Sequence, residues 1–177
     1  MCATLVYNVL CQKNEGDMYA VTISYCLKKS YAKMFNLYKE GLDLEFLRHY
    51  CMEHGEVRLL KRGEIFEDAG KPSRYLAFVE RGCFKYMVHN TEEGKDYCTG
   101  FAFEGEFVAD YPNCLTSRKS SVTIVAGTMC KILQILGTEL ENLLESANME
   151  ELKQSISDRL FAQVYAQYLD TYRMTTR

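Results

Sequence analysis

Short apolar stretches separated by glycine-containing turns fill the middle of the chain, from residue 56 to residue 134, and this pattern limits the possible folds. Turns recur about every eight to twelve residues, and glycines stand at positions 63, 70, 82, 94, 100, 105 and 127. Such spacing is typical of all-β sandwiches and barrels. Helices do not alternate with the strands, which argues against a doubly wound parallel sheet. The sequence therefore predicts a mainly β domain, a jelly-roll barrel with flanking helices.

A short helix is predicted before the strands, at residues 41–55 (GLDLEFLRHYCMEHG). Asp43 is a candidate N-cap, because its carboxylate could accept hydrogen bonds from the first free amides of the helix. Leu44, Leu47 and Cys51 recur on one face, and Gly55 suits the position after the last turn. The segment is therefore interpreted as an amphipathic helix that stops at Gly55.

Two further helices are predicted after the strands. The sequence TELE, at residues 138–141, has the form of a capping box, in which Thr138 bonds the third amide of the helix and Glu141 bonds back. The next helix is expected to run over residues 149–172 without glycine or proline, roughly 35 Å at 1.5 Å per residue.

The long helix carries an apolar stripe that favours pairing with the same helix of a second subunit. The stripe repeats at four-residue steps through Leu152, Ile156, Leu160, Val164 and Tyr168. It is broader than packing on one barrel requires, so a homodimer through this helix is expected. Packing of the stripe on the β core of its own chain remains the alternative.

These features divide the chain into three regions. Residues 1–33 carry four lysines and two acidic residues, and we expect an N-terminal extension that adds little to the fold. Residues 34–147 would form the β-roll domain, and residues 148–177 the long C-terminal helix.

Bulk composition argues against several functional classes. The net charge of −3 does not suggest a nucleic-acid or membrane-surface binder, and no apolar run reaches the roughly 20 residues that span a bilayer. The eight cysteines include no CxxC pair, and the three histidines are dispersed. A metal-dependent barrel enzyme would need clustered histidines on its strands, and only His89 lies on a predicted one. We expect a cytoplasmic protein with reduced thiols, without metal, haem or enzymatic activity.

Two motifs, in this order, carry a family resemblance. The first is KRGEIFEDAGKPSRYLAFVERGCFKYMV at residues 61–88, with its glycines and its YxxFVxxG strand; the second is FEGEFVADY at residues 103–111. Together with the order of helices and strands, they resemble the cyclic-nucleotide-binding-like sensor domain of Crp/Fnr-type transcription regulators. The resemblance covers about residues 35–172.

The resemblance implies that FEGEFVADY begins a ligand cassette, a turn and short helix. In the family, the backbone amides of this cassette, a glutamate and an arginine together hold a cyclic nucleotide. Gly105 keeps the cassette turn. The ribose-binding glutamate corresponds to Asp110, and the phosphate-binding arginine corresponds to Ser120, with Arg118 and Lys119 in neighbouring positions. Because strand side chains alternate between faces, a basic residue one position away points to the wrong side. The candidate ligand-binding residues are Gly105, Glu106, Asp110, Arg118, Lys119, Ser120 and Ser121.

The resemblance also implies an effector-sensing regulatory domain that does not bind cAMP in the usual way; another small anion is left open as its ligand. Crp/Fnr regulators continue into a winged helix-turn-helix, and this sequence ends at Arg177 before one could fit. DNA would therefore be bound only through a domain outside this sequence. The alternative is a ligand-free dimerisation module, or a truncated regulator that pairs with full-length relatives.

Overall fold

The computed structural model describes residues 44–146 and 149–175, which form three helices, eight strands and one 3-10 turn. The helices are α1 Glu45–His54, α2 Gly137–Ser146 and α3 Glu150–Thr175, and the 3-10 turn is Asn113–Thr116. The strands are β1 Glu56–Leu60, β2 Ile65–Glu67, β3 Tyr75–Arg81, β4 Cys83–Asn90, β5 Lys95–Phe103, β6 Phe107–Val108, β7 Thr123–Ala126 and β8 Cys130–Leu136.

The strands form two antiparallel sheets of four strands each, in the orders β1-β8-β3-β6 and β2-β7-β4-β5. Side chains from both sheets meet in one buried cluster that includes Val79, Phe84, Ile124 and Ile132. Neighbours in each sheet are mostly distant in sequence, as a jelly-roll requires. The predicted mainly β fold with flanking helices is confirmed.

Strand β3 is buried on both of its faces, which explains its nearly continuous apolar sequence. Ala77 and Val79 point into the cluster between the sheets, while Leu76 and Phe78 belong to a second buried cluster with the helices. Alternation along a strand sends successive side chains to opposite faces, so a strand covered on both sides must be apolar at every position. This second cluster joins α1 and α2 to the barrel.

Helix α1 ends where the sequence predicts and begins differently. Leu47 and Cys51 are buried, as expected. The N-cap position is held by Leu44 without a side-chain hydrogen bond, and Asp43 lies outside the described residues. Gly55 has an ordinary φ of −70°, and a Cβ there would lie 2.3 Å from the Cys51 carbonyl oxygen. Gly55 is therefore required by close approach and not by a left-handed conformation.

The predicted capping box at Thr138 is wrong. Helix α2 begins at Gly137, immediately after β8, so Thr138 lies inside its first turn. The Gly137 N–H donates to the Arg74 carbonyl oxygen at 2.8 Å, and the Glu141 carboxylate accepts a hydrogen bond from Lys153 Nζ at 2.6 Å. Strand β8 continues directly into the helix, which leaves no turn for the box to close.

The long C-terminal helix is confirmed as α3. Among the described helices, none combines the length and apolarity that crossing a bilayer requires. The chain divides into two compact units: Leu42–Ser155 is one, and α3 contributes to the other from Ile156 onward.

Candidate functional site

The cassette opens with a tight turn that Gly105 makes possible. The Glu106 N–H donates to the Phe103 carbonyl oxygen at 3.0 Å, and Gly105 has a φ of +81°, as the third residue of a type II turn requires. Two backbone hydrogen bonds to Val79, each 2.8 Å, hold this turn against β3. The Glu106 side chain is buried, and its carboxylate accepts the Phe103 N–H at 2.8 Å. Both the backbone and the side chain of Glu106 therefore bond to Phe103, the first residue of the turn.

Asp110 and Ser120, the two positions that the resemblance assigned to the ribose and phosphate contacts, bond directly to each other. Asp110 Oδ2 lies 2.9 Å from Ser120 Oγ, and both residues are buried, with 8% and 4% of their surface exposed. The same oxygen accepts the Ser121 N–H at 2.9 Å and the Asn113 amide at 3.0 Å. Ser121 Oγ also lies 3.4 Å away. This oxygen, Oδ2, is thus satisfied by donors of its own chain.

The amides of the cassette are also occupied. After Pro112, which has no N–H, the Cys114 N–H donates to the Asp110 carbonyl oxygen at 2.9 Å and the Leu115 N–H to the Pro112 carbonyl oxygen at 3.1 Å. The Arg118 N–H closes the 3-10 turn on the Asn113 carbonyl oxygen at 3.0 Å. These donors already have acceptors within the protein.

Arg118 and Lys119 lie outside the Asp110 cluster. Their segment pairs with the loop before β3, through an isolated bridge between Pro72 and Lys119 and a 2.7 Å hydrogen bond from the Ser73 N–H to the Arg118 carbonyl oxygen. Both basic side chains are exposed, while the adjacent Ser120 is buried. Over residues 44–146 and 149–175, neither side chain forms an ion pair. The structure thus brings Asp110, Ser120 and Ser121 together and leaves the two cations apart.

Sequence reasoning missed two residues beside this cluster, Glu67 and Tyr86. Glu67 is buried, and its Oε1 accepts the N–H groups of Arg74 and Tyr75, both at 3.1 Å. Burial raises the pKa of Glu67, the two amides oppose this shift, and the charge of Asp110 adds to it. The signal that could have identified Glu67 is its place in the sequence, directly after the two apolar residues of a short strand (IFE).

Tyr86 links β4 to the cassette at Ala109. Its hydroxyl lies 3.3 Å from both the carbonyl oxygen and the amide nitrogen of Ala109. Burial of the phenol, followed by the nearby charges of Glu106 and Asp110, raises the pKa of Tyr86 above its ordinary range. The residue as a whole is half-buried, but its hydroxyl is enclosed by the cassette backbone.

The 3-10 turn of the cassette packs against α2. Cys114 and Leu115 share a buried cluster with Leu140 and Leu144, and a Cβ on Gly137 would lie 2.0 Å from the Cys114 carbonyl oxygen. Burial, followed by the charges of Asp110 and Glu67, raises the pKa of Cys114 to about 12. Cys114 is therefore a protonated packing residue and a poor candidate for a reactive thiol.

The local chemistry is acidic and internally satisfied. Three carboxylates, Glu67, Glu106 and Asp110, are buried in this region; the charge of Asp110 acts on Glu67, and the charges of Glu106 and Asp110 act on Tyr86. In the part of the chain that the structure describes, no three metal-ligating side chains are close enough to hold an ion. The arrangement can stabilise the cassette through hydrogen bonds within the chain.

Comparison with known proteins agrees with this architecture. The family described as cyclic nucleotide-binding domain matches residues 57–147, just over half of the 177 residues. A comparison with curated protein sequences found no match.

Three solved structures illustrate the similarity of fold. The c-di-GMP-responsive global regulator CLP of Xanthomonas campestris aligns with a TM-score of 0.61 at 18% identity, over 76% of this chain and 65% of that one. The catabolite activator protein of Thermus thermophilus aligns with a TM-score of 0.60 at 15% identity, over 78% and 62%. A transcriptional regulator of Thermotoga maritima aligns with a TM-score of 0.55 at 21% identity, over 76% and 100%.

This chain therefore spans less than two thirds of the first two regulators. At these identities the similarity concerns the fold, and at that level the resemblance to Crp/Fnr-type regulators is confirmed. On the family match and the two-sheet architecture, the chain belongs to the cyclic nucleotide-binding domain family.

Proposed function

We propose that this chain is the effector-sensing regulatory domain of a Crp/Fnr-like transcription regulator, and that its cassette does not bind cAMP in the family's usual way. The observation that carries the second part is the buried 2.9 Å hydrogen bond between Asp110 and Ser120. A serine there supplies no charge and no bidentate fork for a cyclic phosphate. The two positions that would contact the ribose and the phosphate are instead bonded to each other.

Electrostatics supports the proposal. A cyclic phosphate would bring a negative charge close to the buried carboxylates of Glu67, Glu106 and Asp110. Like charges repel strongly in a poorly solvated site, and the basic side chains of Arg118 and Lys119 are exposed and lie outside this cluster.

The packing of the cassette supplies a route for regulation. Cys114 and Leu115 contact the same buried cluster as Leu140 and Leu144 of α2, and Leu152 at the start of α3 packs against it. A change in the cassette region would reach α3 through contiguous side chains, and α3 is the element we propose to shift between two states.

The C-terminal helix is the proposed dimer contact. Phe161, Val164, Tyr165 and Tyr168 of α3 expose more than half of their surface. Large apolar residues at such spacing suit pairing with a second copy. Any DNA contact would come from a winged-helix domain outside this sequence. The described cysteines are free thiols, which suits a reducing cytoplasm.

A second candidate function is a ligand-free dimerisation module that pairs with full-length relatives. The internally satisfied cassette and the exposed row on α3 favour it. It differs from the first candidate in requiring no effector.

Thermal melting against cAMP, cGMP and a panel of small anions at millimolar concentration separates these candidates. A ligand that binds the folded state raises the melting temperature through RT ln(1 + [L]/Kd). The sensor proposal expects a saturable shift with a non-nucleotide compound and none with cAMP or cGMP. Absence of any shift, with a dimer in sedimentation, would favour the second candidate. A cyclic nucleotide shift abolished by Asp110→Ala would refute the proposed loss of nucleotide binding.

A further inference from the structure

We propose that an open pocket beside the cassette binds a small organic oxyanion, a phosphate or carboxylate on a planar apolar body. The pocket has a volume of about 360 Å³ and lies between β2 and the loop that leads to β3. Its lining includes Phe66, Lys71, Pro72, Arg74 and Tyr75. The anionic group would be held by Arg74 together with Lys119.

Lys119 is brought to the pocket by strand register. It stands directly opposite Pro72 in an antiparallel bridge, with flanking backbone hydrogen bonds of 2.7 Å on both sides. Directly opposed residues of an antiparallel pair place their side chains on the same face, with Cβ atoms about 5 Å apart. Pro72 lines the pocket and Lys119 does not, and we infer from this register that the exposed Lys119 side chain lies at the rim. Lys119, whose side chain points away from the cassette because neighbouring strand residues face opposite sides, is thus available to this pocket.

The cations at the pocket are only partly neutralised. Lys71 forms an ion pair with Asp68 at 2.7 Å, so the charges of these two residues neutralise each other. Arg74 and Lys119 are exposed, and neither forms an ion pair within the described ranges. Glu67 also lines the pocket, but it is buried and its Oε1 already accepts two amides. The lining itself is balanced, with Lys71 and Arg74 against Glu67 and Asp68, so Lys119 at the rim supplies the one excess positive charge.

The apolar part of the pocket favours a flat ligand. Tyr75 is a half-buried aromatic residue of the lining, and Pro72 contributes a ring without an amide donor. Phe66 also lines the pocket, but it exposes only 6% of its surface and packs against Phe84 in the barrel cluster. Pockets that bind small molecules combine such walls with a few orienting polar groups. Glu67 acts here as a positioning residue, because its carboxylate fixes the backbone that carries Arg74.

This inference is independent of the proposed state of the cassette. The ligand contacts are Arg74 and Lys119, whereas the cassette proposal concerns Asp110 and Ser120. Failure of one leaves the other standing, and the variants that test them differ.

Isothermal titration calorimetry on the full chain tests the inference with phenyl phosphate, benzoate, inorganic phosphate and phenol. The proteins are the wild type, the double variant Arg74→Gln/Lys119→Gln, and Arg81→Gln as the matched control. Arg81 is an exposed arginine at the other end of β3 from Tyr75, about 20 Å away at 3.3 Å per residue. Circular dichroism melts establish that each variant is folded.

We expect saturable binding of phenyl phosphate, benzoate or both. Which of the two compounds binds shows whether the pocket takes a phosphate or a carboxylate. Each exposed cation should contribute about three- to fivefold, so the double variant should bind about 10- to 25-fold more weakly. Arg81→Gln should bind like the wild type. The proposal is overturned if neither aromatic anion binds, if inorganic phosphate or phenol binds as tightly, or if Arg81→Gln loses as much affinity as the double variant.

Discussion

At the scale of single residues, the main feature of the cassette is a serine, Ser120, in place of the family's arginine, and this serine is hydrogen-bonded to Asp110. Motif spacing aligned the family's arginine with Ser120 and its glutamate with Asp110. The distance between the two side chains was not predictable, because they stand ten positions apart with a 3-10 turn between them. The fold brings them to 2.9 Å, and the shortened acid and the small hydroxyl satisfy each other.

Asp110→Ala should destabilise the protein. The substitution removes the acceptor of the Ser121 N–H and of the Asn113 side-chain amide, and one of two acceptors near Ser120 Oγ, which also lies 2.7 Å from the Val122 carbonyl oxygen. Losing hydrogen bonds to a charged group in this way costs about 1–3 kcal/mol. Urea unfolding measures the loss. Asp96→Ala, which removes a carboxylate with 66% of its side chain exposed, is the control and should change stability by less than about 0.5 kcal/mol. Equal effects of the two substitutions would contradict the structural role of Asp110.

Glu67→Gln should stabilise the protein at neutral pH. Because the pKa of Glu67 is raised in the folded state, folded protein binds this proton more tightly than the unfolded chain. The contribution of Glu67 to stability therefore falls as the pH rises above its ordinary value of 4.5. Glutamine keeps an oxygen for the Arg74 and Tyr75 amides and carries no charge.

Thermal melts of the Glu67→Gln variant and wild type at pH 4 and pH 7 test this sign. The variant should melt higher at pH 7, and the difference should shrink at pH 4. A variant that melts lower at pH 7 would mean that the charged carboxylate stabilises the fold.

At the scale of elements, apolar periodicity predicted the strands and helices better than their ends. The faces of α1 and α3 follow from spacing, since burial of one face determines which residues are apolar. The start of α2 does not, because Gly137 is bonded to Arg74 in a distant loop and Glu141 is bonded to Lys153. Local capping signals were overridden by tertiary contacts.

Leu144→Ala should destabilise the junction of α2 with the cassette. Leu144 exposes 2% of its surface and shares a buried cluster with Cys114 and Leu115. Truncating such a leucine costs about 2–5 kcal/mol through lost burial and a cavity. Leu136→Ala is the control, since Leu136 is 45% exposed and its truncation should cost below about 1 kcal/mol. Similar urea midpoints for both variants would exclude tight packing between α2 and the cassette.

The Val164→Asp substitution in α3 should weaken the proposed dimer. Val164 is 62% exposed, and an aspartate would place a charge in the apolar contact between two copies. Ala162→Asp is the matched control, because Ala162 is exposed about 200° around the helix from Val164. Sedimentation velocity should give a monomer for Val164→Asp and a dimer for Ala162→Asp. If Val164→Asp and the double variant Ile156→Asp/Val164→Asp both sediment like the wild type, the contact between the two copies lies elsewhere.

At the scale of the whole molecule, the order of elements identified the fold, because few architectures combine a punctuated set of strands with a helix before it and two after it. The neighbourhood of the cassette was less predictable. Glu67 and Tyr86 reach it from β2 and β4, so only folding brings them beside Asp110. These acidic and phenolic groups make the surroundings of Asp110 a poor place for an anion.

Calorimetric titration of cAMP into the wild type, Ser120→Arg and Ser121→Arg tests the central claim most directly. Ser120 is buried beside Asp110, whereas Ser121 contacts the same carboxylate from an exposed position, so only the first substitution places a guanidinium inside the cassette. We expect no saturable heat with the wild type up to millimolar cAMP, and a gain of binding with Ser120→Arg that Ser121→Arg does not reproduce. Saturable binding of cAMP by the wild type would contradict the account.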